Sequence, residues 1–351
     1  MSMNAVRNWI NDPQSTTGEK ALFTAAALTY LCLPLGTAPS TIAGALSLAI
    51  WLFGGIAIAK RRIYLTSYWW PVYGLMLLPW LGMLYTIDTT GIGMDYAEKT
   101  YYWLFGMSVA AIPFRYFSAT RMAQAFMLGL GINVMAAIAQ MAFHIGDALG
   151  QHRGLGPDYS TLSAYLIVGI MMGVFFLSRQ QVMKRRIGLA GLIALYFFHL
   201  VILQSRASYV AFVLLAPFIG FTFFRRRKLI KTIALCVLTP CLMLLSPVVR
   251  DRAALTVEDL GHHLSATDGS AWGERYSAHQ DRFYMWNGAL RIIGDHPLIG
   301  VGTGGYAIAL KKYGRDPSAP LIAHPHNNFL YIAACYGIVG SAVFCWFLAV
   351  T

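Results

Sequence analysis

The chain has 351 residues, of which 57% are hydrophobic and 12% charged, with a formal net charge of +12 at neutral pH. A mean hydropathy of +0.55, carried by recurrent long apolar runs, excludes an ordinary soluble domain. The positive balance does not point to nucleic acid, because it collects in short loops between apolar runs instead of forming one basic surface.

Residues 1–19 are polar and lack a small-residue cleavage site behind a short apolar core, so no signal peptide is expected, and Asn4 to Asn11 is placed along a membrane surface. Apolar runs follow at 21–36, 41–59, 66–85, 100–113, 122–145, 160–178, 187–204, 207–224, 230–247, 324–337 and 338–351. Most approach the ~20 residues that cross a ~30 Å hydrocarbon core as a helix; the first and the last two are short for it. The expected fold is an all-α integral membrane protein, a polytopic bundle of about 11–12 transmembrane helices forming a single domain over 1–351. Lys60-Arg61-Arg62, Arg115 with Arg121, Arg179 with Lys184-Arg185-Arg186, and Arg225 to Lys228 with Lys231 occupy alternate loops that carry no acid. The intervening loops differ: 36–40 is uncharged, the segment around Asp88, Asp95, Glu98 and Lys99 is net acidic, and the 248–322 insertion is balanced. This asymmetry puts the N-terminus in the cytoplasm and 248–322 outside.

Within the 122–145 run, Asn133, Gln140 and His144 can share a face, where bonding between helices is favoured over lining a cavity. All five cysteines, Cys32, Cys236, Cys241, Cys335 and Cys345, lie in apolar spans and read as packing residues, not a disulfide framework. In the insertion, Val249 to His263 suits a short helix. Tyr276 to Ile293 predicts an amphipathic helix with Phe283, Trp286, Leu290 and Ile293 on one face, stopped by Asp295-His296-Pro297. Gly300 to Gly305 reads as a flexible turn; without a strand–helix context it is not a dinucleotide fingerprint.

The same topology delivers Arg153, Arg206, Arg282 and His326 to one membrane face. On the outer side the positive-inside rule does not account for Arg206, which lies between two apolar spans where a charge is costly without a partner. Arginine holds phosphate oxygens through a planar fork, and an imidazole titrates near neutrality, so the set suits chemistry on a phosphorylated lipid. His326 is the candidate general base, Arg206, Arg282 and Arg153 the candidate diphosphate ligands, and His324 and Asn327 secondary candidates. His324 and His326 lack a third metal ligand at a clean spacing, and the external carboxylates form no Asp-x-Asp pair, so neither a metal nor another cofactor is expected.

These residues resemble the O-antigen ligase family, within the wider ligase and polymerase superfamily. The resemblance is strongest over Arg282-Phe283-Tyr284-Met285-Trp286-Asn287-Gly288-Ala289, His296-Pro297-Leu298-Ile299-Gly300-Val301-Gly302, and His326-Asn327-Asn328-Phe329-Leu330 leading to Gly337. Ser205-Arg206, and Arg153 with the glycine and proline after it, are similar to two further arginine motifs of the family. The resemblance implies a membrane glycosyltransferase of the GT-C-like type at the periplasmic face of the bacterial inner membrane. It also implies metal-independent transfer of a glycan from undecaprenyl diphosphate to the lipid A–core oligosaccharide, and direct attack inverts the anomeric centre. Family members usually have about a dozen spans, whereas this chain stops at Thr351 within an apolar run. An O-antigen polymerase or a protein O-oligosaccharyltransferase would use the same lipid-linked donor. A polysaccharide lipid transporter is the more distant alternative, since it leaves the arginines and histidine on one face unexplained.

Overall fold

A computed structural model of the chain describes residues 16–112, 116–145, 152–203, 206–223, 278–313 and 321–351, with single positions 241, 250 and 254. Most of the polar N-terminus, the 230–247 span and the 249–263 helix expected from sequence lie outside the described residues. In chain order the principal helices are α1 (Thr17–Cys32), α2 (Thr37–Phe53), α3 (Trp70–Met83), α4 (Ile92–Glu98), α5 (Tyr101–Ala110), α6 (Tyr116–Ala142), α7 (Tyr159–Arg179), α8 (Met183–Ile202), α9 (Arg206–Phe223), α10 (Ala278–Asp295), α11 (Gly305–Tyr313) and α12 (Asn328–Val350).

Four of these, α6 over Ala119–Ala142, α7, α8 and α12, are long and apolar enough to cross a bilayer. α2 is apolar but spans 17 residues. Large apolar side chains such as Ile42, Phe53, Leu84, Ile187 and Leu214 stand on the surface. Leaving each in water forgoes about 1.5–3 kcal/mol of transfer free energy, a cost that acyl chains remove. The chain is a helical membrane protein. The expected 66–85 and 100–113 spans are shorter as helices, α3 with 14 residues and α5 with 10, and at ~1.5 Å per residue neither covers the hydrocarbon core.

The helices group into two compact units, Met1–Ile56 with Ile112–Val257, and Ala57–Ala111 with Glu258–Thr351. In the first, α1 starts with a capping box in which Thr16 Oγ1 accepts from Glu19 N and the Glu19 carboxylate accepts from Thr16 N. The core combines Leu130 and Val134 of α6, Leu162 and Leu166 of α7, and Tyr196 and Leu200 of α8, all essentially inaccessible. Gly169 allows the close packing there, since a Cβ on it would meet Leu130 at 2.4 Å and the Tyr196 ring at 3.1 Å. Ser163 of α7 and Ser208 of α9 share a hydrogen bond.

In the second unit, α10 buries Met285, Ala289 and Ile292, at four- and three-residue spacing, in one core with Tyr306 and Leu310 of α11 and Ala334 and Cys335 of α12. The buried stripe is therefore one residue away from the face expected from sequence: Leu290 is exposed and Trp286 half-buried. The two C-terminal spans expected at 324–337 and 338–351 form one helical element, α12, broken at Gly337 (φ 60°, ψ −151°). Residues 297–302 thread alongside the break. Val301 N and Gly302 N donate to the carbonyls of Ala334 and Cys335, while Ile338 N and Val339 N donate to Pro297 and Leu298. A membrane helix can break only where such partners replace the lost bonds, and here a passing segment supplies them.

The glycine run is thus not the flexible turn expected from sequence. Thr303 is fully buried, donates to Pro79 O (2.6 Å) and meets Tyr336 OH at 3.1 Å. Tyr85 OH donates to Ile299 O (2.7 Å) and Thr86 Oγ1 to Thr303 O (2.7 Å). Gly300 (φ 68°) is glycine because a Cβ would lie 2.3 Å from the Cys335 carbonyl carbon.

Candidate active site

His326 is displayed at the entry to α12. Its backbone is left-handed (φ 51°), a conformation few non-glycine residues adopt, although histidine is among those that do. Neighbours on both sides impose it. Pro325 is buried, and its carbonyl accepts from Trp286 Nε1 of α10 (2.9 Å). Asn327 caps α12, its Oδ1 accepting from Phe329 N (3.0 Å) and Leu330 N (3.3 Å). The oxygen of this secondary candidate is therefore committed to the helix end. Held backbone strain of this kind is a recurrent mark of functional positions.

His324 stands edge-on to His326, with ring centroids 4.3 Å apart. Arg282, exposed in the second turn of α10, lies four residues before Trp286 and so on the same helix face. Partial desolvation of the ring first, then the nearby His324 and the Arg282 guanidinium, hold the His326 pKa below the ordinary imidazole value. A neutral imidazole beside a fixed cation is the pairing a base needs when its reaction partner is a phosphorylated leaving group. Among the described residues no three His, Cys, Asp or Glu side chains gather into a metal-binding group.

Arg153 belongs to the other unit, in the loop between α6 and α7. Asn133 Nδ2 donates to Arg153 O (3.0 Å) and Asn133 Oδ1 accepts from Leu155 N (2.7 Å). Gln140 pairs with both backbone groups of Gly154, each bond 2.8 Å. His199 Nε2 is 3.0 Å from His152 O. The amides of α6 thus bond to a loop, not between helices, and His144 lies past the helix end in a left-handed turn. Asp158 caps α7 through Ser160 N, Thr161 N and Thr161 Oγ1. Partial burial opposes its ionisation, but these bonds and the Arg153 guanidinium outweigh it and hold its pKa below the usual carboxylate value. Arg206 is the first residue of α9; its side chain lies outside the described residues.

The structure therefore brings together Arg282, His324 and His326 in one unit and places Arg153 and the start of α9 in the other. Sequence reading missed Trp286 and His199 as supports, because a lone tryptophan or histidine on an apolar helix gives no sign of which distant carbonyl it meets.

Residues 190–345 match a family model described as O-antigen ligase. This part of the chain is similar to that family. The match includes Arg206, Arg282, His324, His326 and Asn327, together with the threaded glycine segment and the helix it braces; Arg153 precedes it. No curated protein matches the chain. The apolar helices described above agree with a membrane setting for the matched part.

Proposed function

We propose that the protein is an O-antigen ligase, transferring a glycan from undecaprenyl diphosphate to the lipid A–core oligosaccharide at the periplasmic face of the inner membrane. The observation that carries this reading is His326, held on strained backbone within electrostatic reach of Arg282, inside the family-matched segment. An acceptor hydroxyl attacks the anomeric carbon and passes its proton to the neutral imidazole of His326. The carbon–oxygen bond to the diphosphate breaks, its electron pair stays on the phosphate oxygen, and the anomeric centre inverts. Arg206, Arg282 and Arg153 hold the diphosphate and balance the charge that develops on it.

The deciding assay incubates purified protein with a lipid-diphosphate-linked glycan and lipid A–core, with a strong chelator present, and identifies the product. Glycan on lipid A–core is expected, at the same rate with chelator as without. Elongated glycan still on the lipid diphosphate would make the protein a polymerase, and a rate restored only by added magnesium or manganese would remove the arginine-only account.

Orientation has its own test. A cysteine at Ser270, within the 248–322 insertion, should react with a membrane-impermeant thiol reagent in cells with a permeabilised outer membrane. Labelling only after inner-membrane lysis would reverse the topology and move His326 to the cytoplasmic side.

Arg282→Ala should raise the donor KM, since a charge-assisted contact to phosphate contributes about 1.5–3 kcal/mol. Arg282→Lys should recover part of that loss, because a point charge cannot reproduce the planar fork. A donor KM unchanged in both variants would take Arg282 out of the diphosphate site.

A further inference from the structure

We propose that Asn133 and Gln140 are positioning residues that hold Arg153 for the lipid diphosphate; the proposal rests on Arg153 being a ligand of the donor. Between them the two amides satisfy the carbonyl of Arg153, both backbone groups of Gly154 and the amide of Leu155, all at 2.7–3.0 Å. A primary amide offers a donor and an acceptor in one plane, so each side chain pairs with the loop as a neighbouring strand would. Asn133 and Gln140 are seven residues apart, two turns along α6, and therefore face the loop together. The fit admits no side chain between them: Gly154 has φ 69°, and a Cβ there would lie 2.4 Å from Asn133 O and 2.6 Å from its Oδ1.

Asn133 is completely buried inside a membrane-spanning helix, where a polar group is costly unless its bonds are made. A loop that merely connects α6 to α7 needs no such residue, since water and headgroups at the interface satisfy its backbone. What the two amides add is a fixed position for the Cα that carries the guanidinium, and preorganisation of a phosphate ligand lowers the ordering cost of binding.

The test measures binding of undecaprenyl diphosphate to detergent-purified variants, alongside their thermal unfolding. Arg153→Ala is expected to weaken binding about ten-fold, as loss of one charged contact does. Gln140→Met, of similar shape without the hydrogen bonds, should weaken it by a similar factor in the wild-type background and not at all in the Arg153→Ala background, because coupled residues are not additive. Asn133→Leu should behave alike and serves as the second variant. If Arg153→Ala binds normally, the donor-ligand reading fails. If Arg153→Ala is weakened but Gln140→Met binds normally, the positioning role is overturned while the ligand stands. Equal weakening by Gln140→Met in both backgrounds, following a lowered unfolding temperature, would reduce the amides to structural parts and also overturn the proposal.

Discussion

Replacing His326 by asparagine should reduce transfer by roughly 10²–10⁴-fold while leaving undecaprenyl diphosphate binding intact, because in the proposed mechanism the lost group acts on the acceptor and not on the donor. Asparagine is the informative replacement. It tolerates the left-handed backbone that histidine holds at φ 51°, so the fold is preserved while the base is removed. His326→Ala should lose the same activity and some stability in addition, since alanine adopts that backbone less readily. The pH dependence follows from the same geometry. The imidazole pKa lies below the ordinary value of about 6.5, so the neutral form persists to lower pH and the acid limb of the rate profile should fall below that point. Removing the Arg282 charge should move that limb upward. A His326→Asn protein that still transfers at near wild-type rate would dismiss His326 as the base.

Gly337→Ala should be among the most damaging small substitutions in the second unit. Its φ of 60° with ψ of −151° lies in a region essentially restricted to glycine, which alone costs on the order of 1–3 kcal/mol for another residue. A Cβ would also sit 2.3 Å from the Leu298 carbonyl carbon and oxygen, and neither backbone can yield without losing the bonds that bridge the break. A lower unfolding temperature and loss of transfer are expected together. Gly191→Ala, in α8 with nothing within 4 Å of the added carbon, provides the control and should be neutral or slightly stabilising. Unfolding of Gly337→Ala at the wild-type temperature would mean that the break is not a required part of the fold.

Apolar length made the transmembrane helices legible. The 160–178 span is α7 at Tyr159–Arg179, and the 187–204 span is α8 at Met183–Ile202. The amphipathic helix ahead of Pro297 was legible too, although its buried stripe was misplaced by one residue, as happens when Trp286 and Leu290 are ranked by hydrophobicity alone. The threading of 297–302 beside Gly337 was not legible. Its bonds join backbone to backbone across distant segments and leave no side-chain pattern except glycines, which suit free motion and tight contact equally. Asn133 and Gln140 were recognisable as polar groups at depth, but an amide does not announce its partner. At the candidate site, residue types identified His326 and Arg282, whereas the strained turn that presents the histidine depends on Trp286 reaching Pro325.

The broken helix also sets a length scale for the chemistry. Arg282 stands at one end of α10, whose other end runs directly into 297–302, and that segment is laced by main-chain bonds to the helix opened by His326. The span between Arg282 and His326 is therefore gauged by peptide geometry, independent of the number of residues that join them in sequence. A segment exchange that moves α10, 297–302 and α12 together should therefore carry the spacing of Arg282 and His326 with it.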